Sequence, residues 1–211
     1  MTDFSIYLIT DRHQTAGRPL AKVVDQALQG GIRAIQLREK DLPGRDLYDL
    51  AMELRQLTDS YDALLIINDR LDIALATNAD GVHLGAGSLP VAEARRLLGA
   101  EPVIGYSAHS LQEARLAEKE GANFITLGPV FYTSSKVAYG APLGLQLFRE
   151  ACATISIPVY ALGGINLLNC NEAMAAGAHG IALISAIIAA PDPLSITKCL
   201  LQKIEKNAID S

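Results

Sequence analysis

The fold this sequence predicts is a single (β/α)₈ barrel, the TIM-barrel form of the α/β class, spanning residues 1–211. Three observations point to it. Eight short apolar, β-branched runs alternate with stretches of helical periodicity. The runs are continuously apolar, as strands are when crossover helices cover both faces of a parallel sheet. A weak repeat of two βα units recurs four times, marked by Gly30-Gly31-Ile32, Asn78-Ala79-Asp80-Gly81, Gly121-Ala122-Asn123 and Gly177-Ala178-His179-Gly180. Each marker closes a helix ahead of an even-numbered strand, so the repeat favours a closed barrel over an open doubly wound sheet.

In chain order the expected strands are Ile6–Asp11, Ala34–Lys40, Leu64–Asp69, Gly81–Gly85, Val103–His109, Phe124–Phe131, Pro158–Ile165 and Gly180–Ile187. Between the first two, Leu20, Val23, Val24, Ala27 and Leu28 share one helical face; further on, Leu47, Leu50, Ala51, Leu54 and Leu57 do the same. No linker, low-complexity tract or shift in composition divides the chain.

Composition narrows the function. With 50% hydrophobic residues the chain can build a sizeable core. The apolar run Ile181 to Ala190 contains Ser185 and falls short of the roughly 18–20 residues a membrane span needs. The first strand begins within a few residues of Met1, with no basic segment or small-residue cleavage site before it. Cys152, Cys170 and Cys199 are odd in number and lack CxxC spacing, which suggests reduced thiols rather than disulfides or zinc. A soluble, cytoplasmic protein is expected. The net charge of −5 and the lack of any basic stripe argue against nucleic acid or membrane partners. A homo-oligomer is left open.

Barrel active sites lie where the strands end, and polar residues gather there: Asp11-Arg12, Gln36 to Lys40, Asn68-Asp69-Arg70, His83, Ser88, Ser107, His109 and Thr133 to Lys136. Gly163-Gly164-Ile165 and Ile184-Ser185-Ala186 follow the seventh and eighth strands, where such barrels commonly hold phosphate on exposed backbone N–H groups. Arg38, Lys40 and Lys136 suit a second anionic subsite, since three cations offset about three charges of a pyrophosphate ester. Glu39 alternates with them and is expected to point elsewhere. Asp69 is a natural Mg²⁺ ligand, with an ion pair to Arg70 as the alternative, and Asn68 beside it can donate to phosphate. His83 and His109, without an orienting carboxylate nearby in sequence, read as hydrogen-bonded rim histidines. Spacing alone does not separate ligand stacking from core packing for Tyr7, Tyr106, Tyr132 and Tyr160.

The ordered set Tyr7 to Arg12, Gln36 to Lys40, Ile67 to Arg70, Gly81 to Gly85, Ser107 to His109, Gly128 to Phe131, Ala161 to Ile165 and Ser185 to Ile187 resembles the thiamine phosphate synthase family over nearly the whole chain. The resemblance implies a transferase. It joins 4-amino-2-methyl-5-hydroxymethylpyrimidine diphosphate to 4-methyl-5-(2-phosphoethyl)thiazole, or its carboxylated tautomer, and releases pyrophosphate. It also implies that Gln36, Leu37, Arg38, Glu39, Lys40, Asn68, Ser107 and Lys136 hold the pyrimidine diphosphate. Of these, Arg38, Lys40, Asn68, Ser107 and Lys136 are implied to be catalytic. Thr133, Ser134, Ser135, Gly164, Ile184 and Ser185 would hold the thiazole phosphate, and Asp69 one Mg²⁺ ion. The implied mechanism is dissociative and needs charge stabilisation and water exclusion more than a strong base.

One position departs from the family pattern. Where a second Mg²⁺ aspartate is usual, this sequence has Ser88, a weak ligand for a hard cation. A serine there also suits the related thiazole tautomerases, but the residue matching their histidine is Pro129, which cannot move a proton. A non-catalytic thiazole or thiamine phosphate-binding barrel is the other alternative. Residues 137–142, which include Gly140, are expected to form a lid.

Overall fold

The computed structural model of the chain describes residues 4–133 and 141–209. Eight parallel strands close into a barrel in sequence order: β1 (Ile6–Ile9), β2 (Ala34–Leu37), β3 (Leu64–Asn68), β4 (Gly81–Leu84), β5 (Val103–Ala108), β6 (Phe124–Leu127), β7 (Val159–Leu162) and β8 (Gly180–Leu183). Closure is the pairing of β1 with β8 in the register Ile6↔Ile181 to Leu8↔Leu183. The surrounding helices are α1 (Leu20–Gln29), α2 (Gly44–Asp59), α3 (Leu71–Ala76), α4 (Val91–Leu98), α5 (Leu111–Lys119), α6 (Gly144–Thr154), α7 (Cys170–Ala175), α8 (Ser185–Ile188) and α9 (Pro193–Ile209). Among the described residues no helix is long and apolar enough to cross a membrane.

The repeat seen in the sequence has a backbone cause. Gly31, Asn78, Gly121 and Gly177 all adopt positive φ, between 49° and 113°, at the turns that lead into the even-numbered strands. Three are glycine and the fourth is asparagine, the side chain that best tolerates this region.

The strands are apolar on both faces because two cores meet across them. Ile6, Leu8, Ile35, Leu65 and Ile67 point outward and pack with the α1 stripe of Leu20, Val23, Val24, Ala27 and Leu28. Tyr7, Ile9, Ala34, Ile66, Phe124, Tyr160 and Ala182 point inward and, with Phe4, fill the barrel. Phe4 stacks on Tyr160 at 4.8 Å between ring centres, and Tyr7 meets Phe124 edge-on at 5.2 Å. Small residues make room for these rings: a Cβ on Gly105 would lie 2.4 Å from the Phe124 ring and 2.5 Å from His83 Nδ1. Replacing Phe124 with Ala would empty the plug at a cost of about 3–5 kcal/mol.

The strands end earlier than the sequence predicts. β8 stops at Leu183 because Ile184, at φ −119° and ψ −89°, leaves extended conformation and starts α8, so Ser185 to Ile187 are helical rather than strand. β6 stops at Leu127 because Pro129 has no N–H to continue the ladder. Val130 and Phe131 still donate to the carbonyls of Leu162 and Gly163, at 2.9 and 3.1 Å, which ties the following loop to the end of β7. Each early ending converts apolar sequence into rim.

Candidate active site

The site rests on a polar layer directly above the aromatic plug. Gln36 Nε2 donates to the Tyr7 hydroxyl at 3.1 Å, which lies 3.3 Å from His83 Nδ1. His83 Nε2 lies 2.8 Å from Ser107 Oγ, and that oxygen is 3.2 Å from Thr126 Oγ1. With Gln36 donating, the Tyr7 proton goes to His83 Nδ1. The imidazole therefore carries its own proton on Nε2 and donates it to Ser107, whose hydroxyl proton is left for Thr126 or a ligand. Burial, aided by the charge of Arg38, lowers the His83 pKa to about 3, so the ring is neutral at physiological pH. Burial also holds the Tyr7 hydroxyl far above its ordinary pKa. His83 is thus not a rim histidine but a member of the barrel interior, 2% exposed.

A cavity of about 750 Å³ opens over the ends of β6, β7 and β8, lined by Thr133, Gly163, Gly164, Ile184, Ser185 and Ala186 among others. Its shape depends on glycine. Gly164 has φ +68°, and a Cβ there would lie 2.5 Å from the Tyr132 carbonyl oxygen and 2.9 Å from Phe131 Cβ. Asn169 Nδ2 donates to the Gly164 carbonyl at 2.9 Å and fixes that peptide. Ser185 and Ala186, first in α8, line the same space, and their N–H groups have no acceptor within the helix. This arrangement can accept a phosphate on the backbone, as the sequence suggested. Ser134, Ser135 and Lys136, and 137–140 of the expected lid, lie outside the described residues.

A second, smaller cavity of about 220 Å³ lies at the ends of β2 and β3, lined by Leu37, Glu39, Lys40, Leu42, Leu47, Asn68, Asp69 and Arg70, while Arg38 lines neither cavity. Leu37 sends its side chain into the layer between barrel and helices. Glu39 is occupied within the protein: its carboxylate accepts from Thr10 Oγ1 at 2.7 Å, from the Arg12 amide at 3.1 Å and from Arg12 Nη1 at 3.2 Å. Arg38 is half-buried and Lys40 exposed, and neither makes an ion pair among the described residues. Arg70 chelates Asp72, at 2.6 and 2.8 Å, and not Asp69. The Asp69 carboxylate is exposed, and its residue is held at φ +65° while its amide donates to the His83 carbonyl.

These donors fit Mg²⁺ in one limited way. Among the described residues no three His, Cys, Asp or Glu side chains come together as a cage. Asp69 offers one carboxylate without a competing ion pair, which suits an ion whose other ligands are phosphate oxygens and water. Ser88 Oγ accepts from the Gly85 amide at 3.0 Å and thereby closes the loop after β4; it does not line the cavity with Asp69.

The structure adds residues to the site that the sequence did not single out. Gln14 and Asn166 line the larger cavity, together with Tyr132, Ile165 and Pro129, which the sequence does single out. Gln14 sits in a 3₁₀ turn, Arg12–Gln14, where it carries no motif of its own. His109 lines it too, and its Nδ1 lies 2.6 Å from the Gly128 carbonyl. A carbonyl can only accept, so Nδ1 carries the proton and Nε2 is the ring's acceptor.

Known proteins resemble the chain over most of its length. The family model described as thiamine monophosphate synthase matches residues 6–187. A protein of Geobacter sulfurreducens is 57% identical over 94% of this chain and 93% of its own. The thiamine-phosphate synthase of Clostridium novyi is 46% identical over 94% of this chain and 97% of its own. The solved structure of a thiamine phosphate pyrophosphorylase from Pyrococcus furiosus superposes with a TM-score of 0.89 at 41% identity, covering 96% of each chain. The chain belongs to the thiamine monophosphate synthase family.

Proposed function

We propose that this chain couples 4-amino-2-methyl-5-hydroxymethylpyrimidine diphosphate to 4-methyl-5-(2-phosphoethyl)thiazole, or its carboxylated tautomer, to form thiamine phosphate. The observation that carries this reading is the presence at the strand ends of two cavities of different construction, one lined by Gly163, Gly164 and Ser185 and the other by Lys40, Asn68 and Asp69. A monophosphate suits the backbone-lined cavity around Gly164 and Ser185, and a diphosphate suits Arg38, Lys40 and, by resemblance, Lys136.

The bond between the pyrimidine methylene and the diphosphate oxygen breaks, with both electrons leaving on pyrophosphate. The thiazole nitrogen then gives its lone pair to the methylene carbon; with the carboxylated tautomer the bond to the carboxylate also breaks, CO₂ departs, its bonding electrons restore the aromatic ring and the exocyclic carbon takes a proton from water. Neither step requires a proton from the protein, in keeping with a neutral His83 and a Ser107 hydroxyl held as a donor. Arg38 and Lys40 stabilise the departing charge in place. Asp69 would hold Mg²⁺ against the diphosphate, where the ion would neutralise further leaving-group charge when bound. The walls of the larger cavity, Pro129, Leu162 and Ile165, exclude water that would otherwise capture the pyrimidine cation.

Both phosphorylated substrates incubated with the protein and Mg²⁺ should yield thiamine phosphate and an equal amount of pyrophosphate. Folded protein that forms neither would overturn the proposal.

A further inference from the structure

The loop after β2 reads Arg38-Glu39-Lys40-Asp41, two cations interleaved with two carboxylates, a pattern that would ordinarily cancel itself. It does not, because both carboxylates are drawn to one side by a residue from the turn after β1. Arg12, in the turn after β1, places Nη1 3.2 Å from Glu39 Oε2, donates through its amide to the same carboxylate, and forks onto both oxygens of Asp41. His13 Nε2 adds a contact to Asp41 at 3.0 Å. Thr10 completes the arrangement. Its hydroxyl donates to Glu39 and accepts the Arg38 amide at 2.9 Å, so one side chain fixes where the acid and the cation diverge.

We infer that Arg12 is a positioning residue for the diphosphate subsite, holding Glu39 and Asp41 away from Arg38 and Lys40 so that these two cations stay available to an anionic ligand. The inference rests on the reading of that subsite as diphosphate-binding. Its chemistry is charge sorting: one guanidinium with a planar fork serves two carboxylates, which a lysine cannot do with the same geometry. Asp41 is accordingly held well below the usual carboxylate range, chiefly by Arg12. Arg12 touches no ligand in this account and acts only through its two acids.

Inorganic pyrophosphate, titrated by calorimetry, reads the subsite without turnover. Arg12→Met should free both carboxylates to pair with Arg38 and Lys40 and weaken pyrophosphate binding about tenfold. The KM for the pyrimidine diphosphate should rise similarly, while that for the thiazole phosphate stays within about twofold. The triple variant Arg12→Met/Glu39→Gln/Asp41→Asn removes the acids together with their keeper and should recover pyrophosphate affinity to within about threefold of the unaltered protein. If Arg12→Met alone does not fold, because it strands the buried Glu39 carboxylate, the triple variant still decides, since it leaves no buried charge unpaired. Persistent weak binding in the triple variant would show that Arg12 itself meets the ligand and would overturn the inference; so would unaltered binding in a folded Arg12→Met. Pyrophosphate binding restored in the triple variant, but with no thiamine phosphate formed by the unaltered protein, would support the charge sorting and reject the coupling reaction.

Discussion

The two halves of the rim are built by opposite means. Over β6 to β8, about 750 Å³ of cavity is shaped by glycines and backbone amides, and nothing there depends on a charged side chain among the described residues. Over β2 and β3, about 220 Å³ is bordered by charged side chains whose freedom has to be protected from neighbouring carboxylates. A backbone cradle fails when an atom intrudes, whereas a charged one fails when its members pair with one another. The two sites should therefore respond to different substitutions and to different substrates.

The largest effect is expected on the charged side. Asp69→Asn preserves a side chain that tolerates the left-handed backbone at φ +65° while removing the carboxylate charge. Turnover should fall about 10³-fold, with calorimetric binding of thiazole phosphate unchanged. A fully active variant would remove Asp69 from the metal assignment. On the backbone side, Gly164→Ala forces a Cβ to within 2.5 Å of the Tyr132 carbonyl oxygen. About 100-fold loss of kcat/KM for thiazole phosphate is expected, carried by a raised KM and without a change in pyrophosphate affinity. Equal damage to both affinities would break the distinction between the halves.

Acid should act on the polar layer inside the barrel. The unfolded chain protonates His83 near the ordinary 6.5, and the folded chain only near 3. Stability is therefore full above pH 6.5 and falls as the pH drops from there towards 3, by at most about 1.4 kcal/mol per pH unit from this group. Urea unfolding between pH 7 and 4 measures that slope, and His83→Gln should flatten it; identical slopes in the two proteins would clear His83 of the effect. The smallest change is expected from Ser88→Asp. An aspartate there can still accept the Gly85 amide and adds a carboxylate to the loop after β4, so the Mg²⁺ concentration for half-maximal rate should stay level or drop about threefold. A sharp loss of rate would mean that the serine hydroxyl itself is needed.

Much of this architecture is legible in the sequence because the barrel repeats a simple rule. Apolar runs, helical stripes and the turn residues Gly31, Asn78, Gly121 and Gly177 recur with each βα pair and predict strand number, order and closure. The strand ends are less legible. Val130 and Phe131 or Ala186 and Ile187 are as apolar as any strand, and only the missing Pro129 N–H and the turned backbone of Ile184 stop the ladder. At the site, motif order brings Lys40, Asn68 and Asp69 to one cavity and Gly164 and Ser185 to another. What it does not convey is who pairs with whom. Arg70 chooses Asp72 two residues away over the adjacent Asp69, and Arg12 reaches 27 and 29 positions along the chain to take Glu39 and Asp41. His83 looks like a rim residue in sequence because it ends a strand, yet the register with Gly105 and the space above Phe124 draw it inside.

The central claim is that one rim carries two independent anion sites. Titrating inorganic pyrophosphate and Mg²⁺ into the protein already saturated with thiazole phosphate tests it most directly by calorimetry. One pyrophosphate per chain should bind with nearly the affinity found without thiazole phosphate. Loss of pyrophosphate binding in proportion to the thiazole phosphate added would mean a single shared site, and would contradict it.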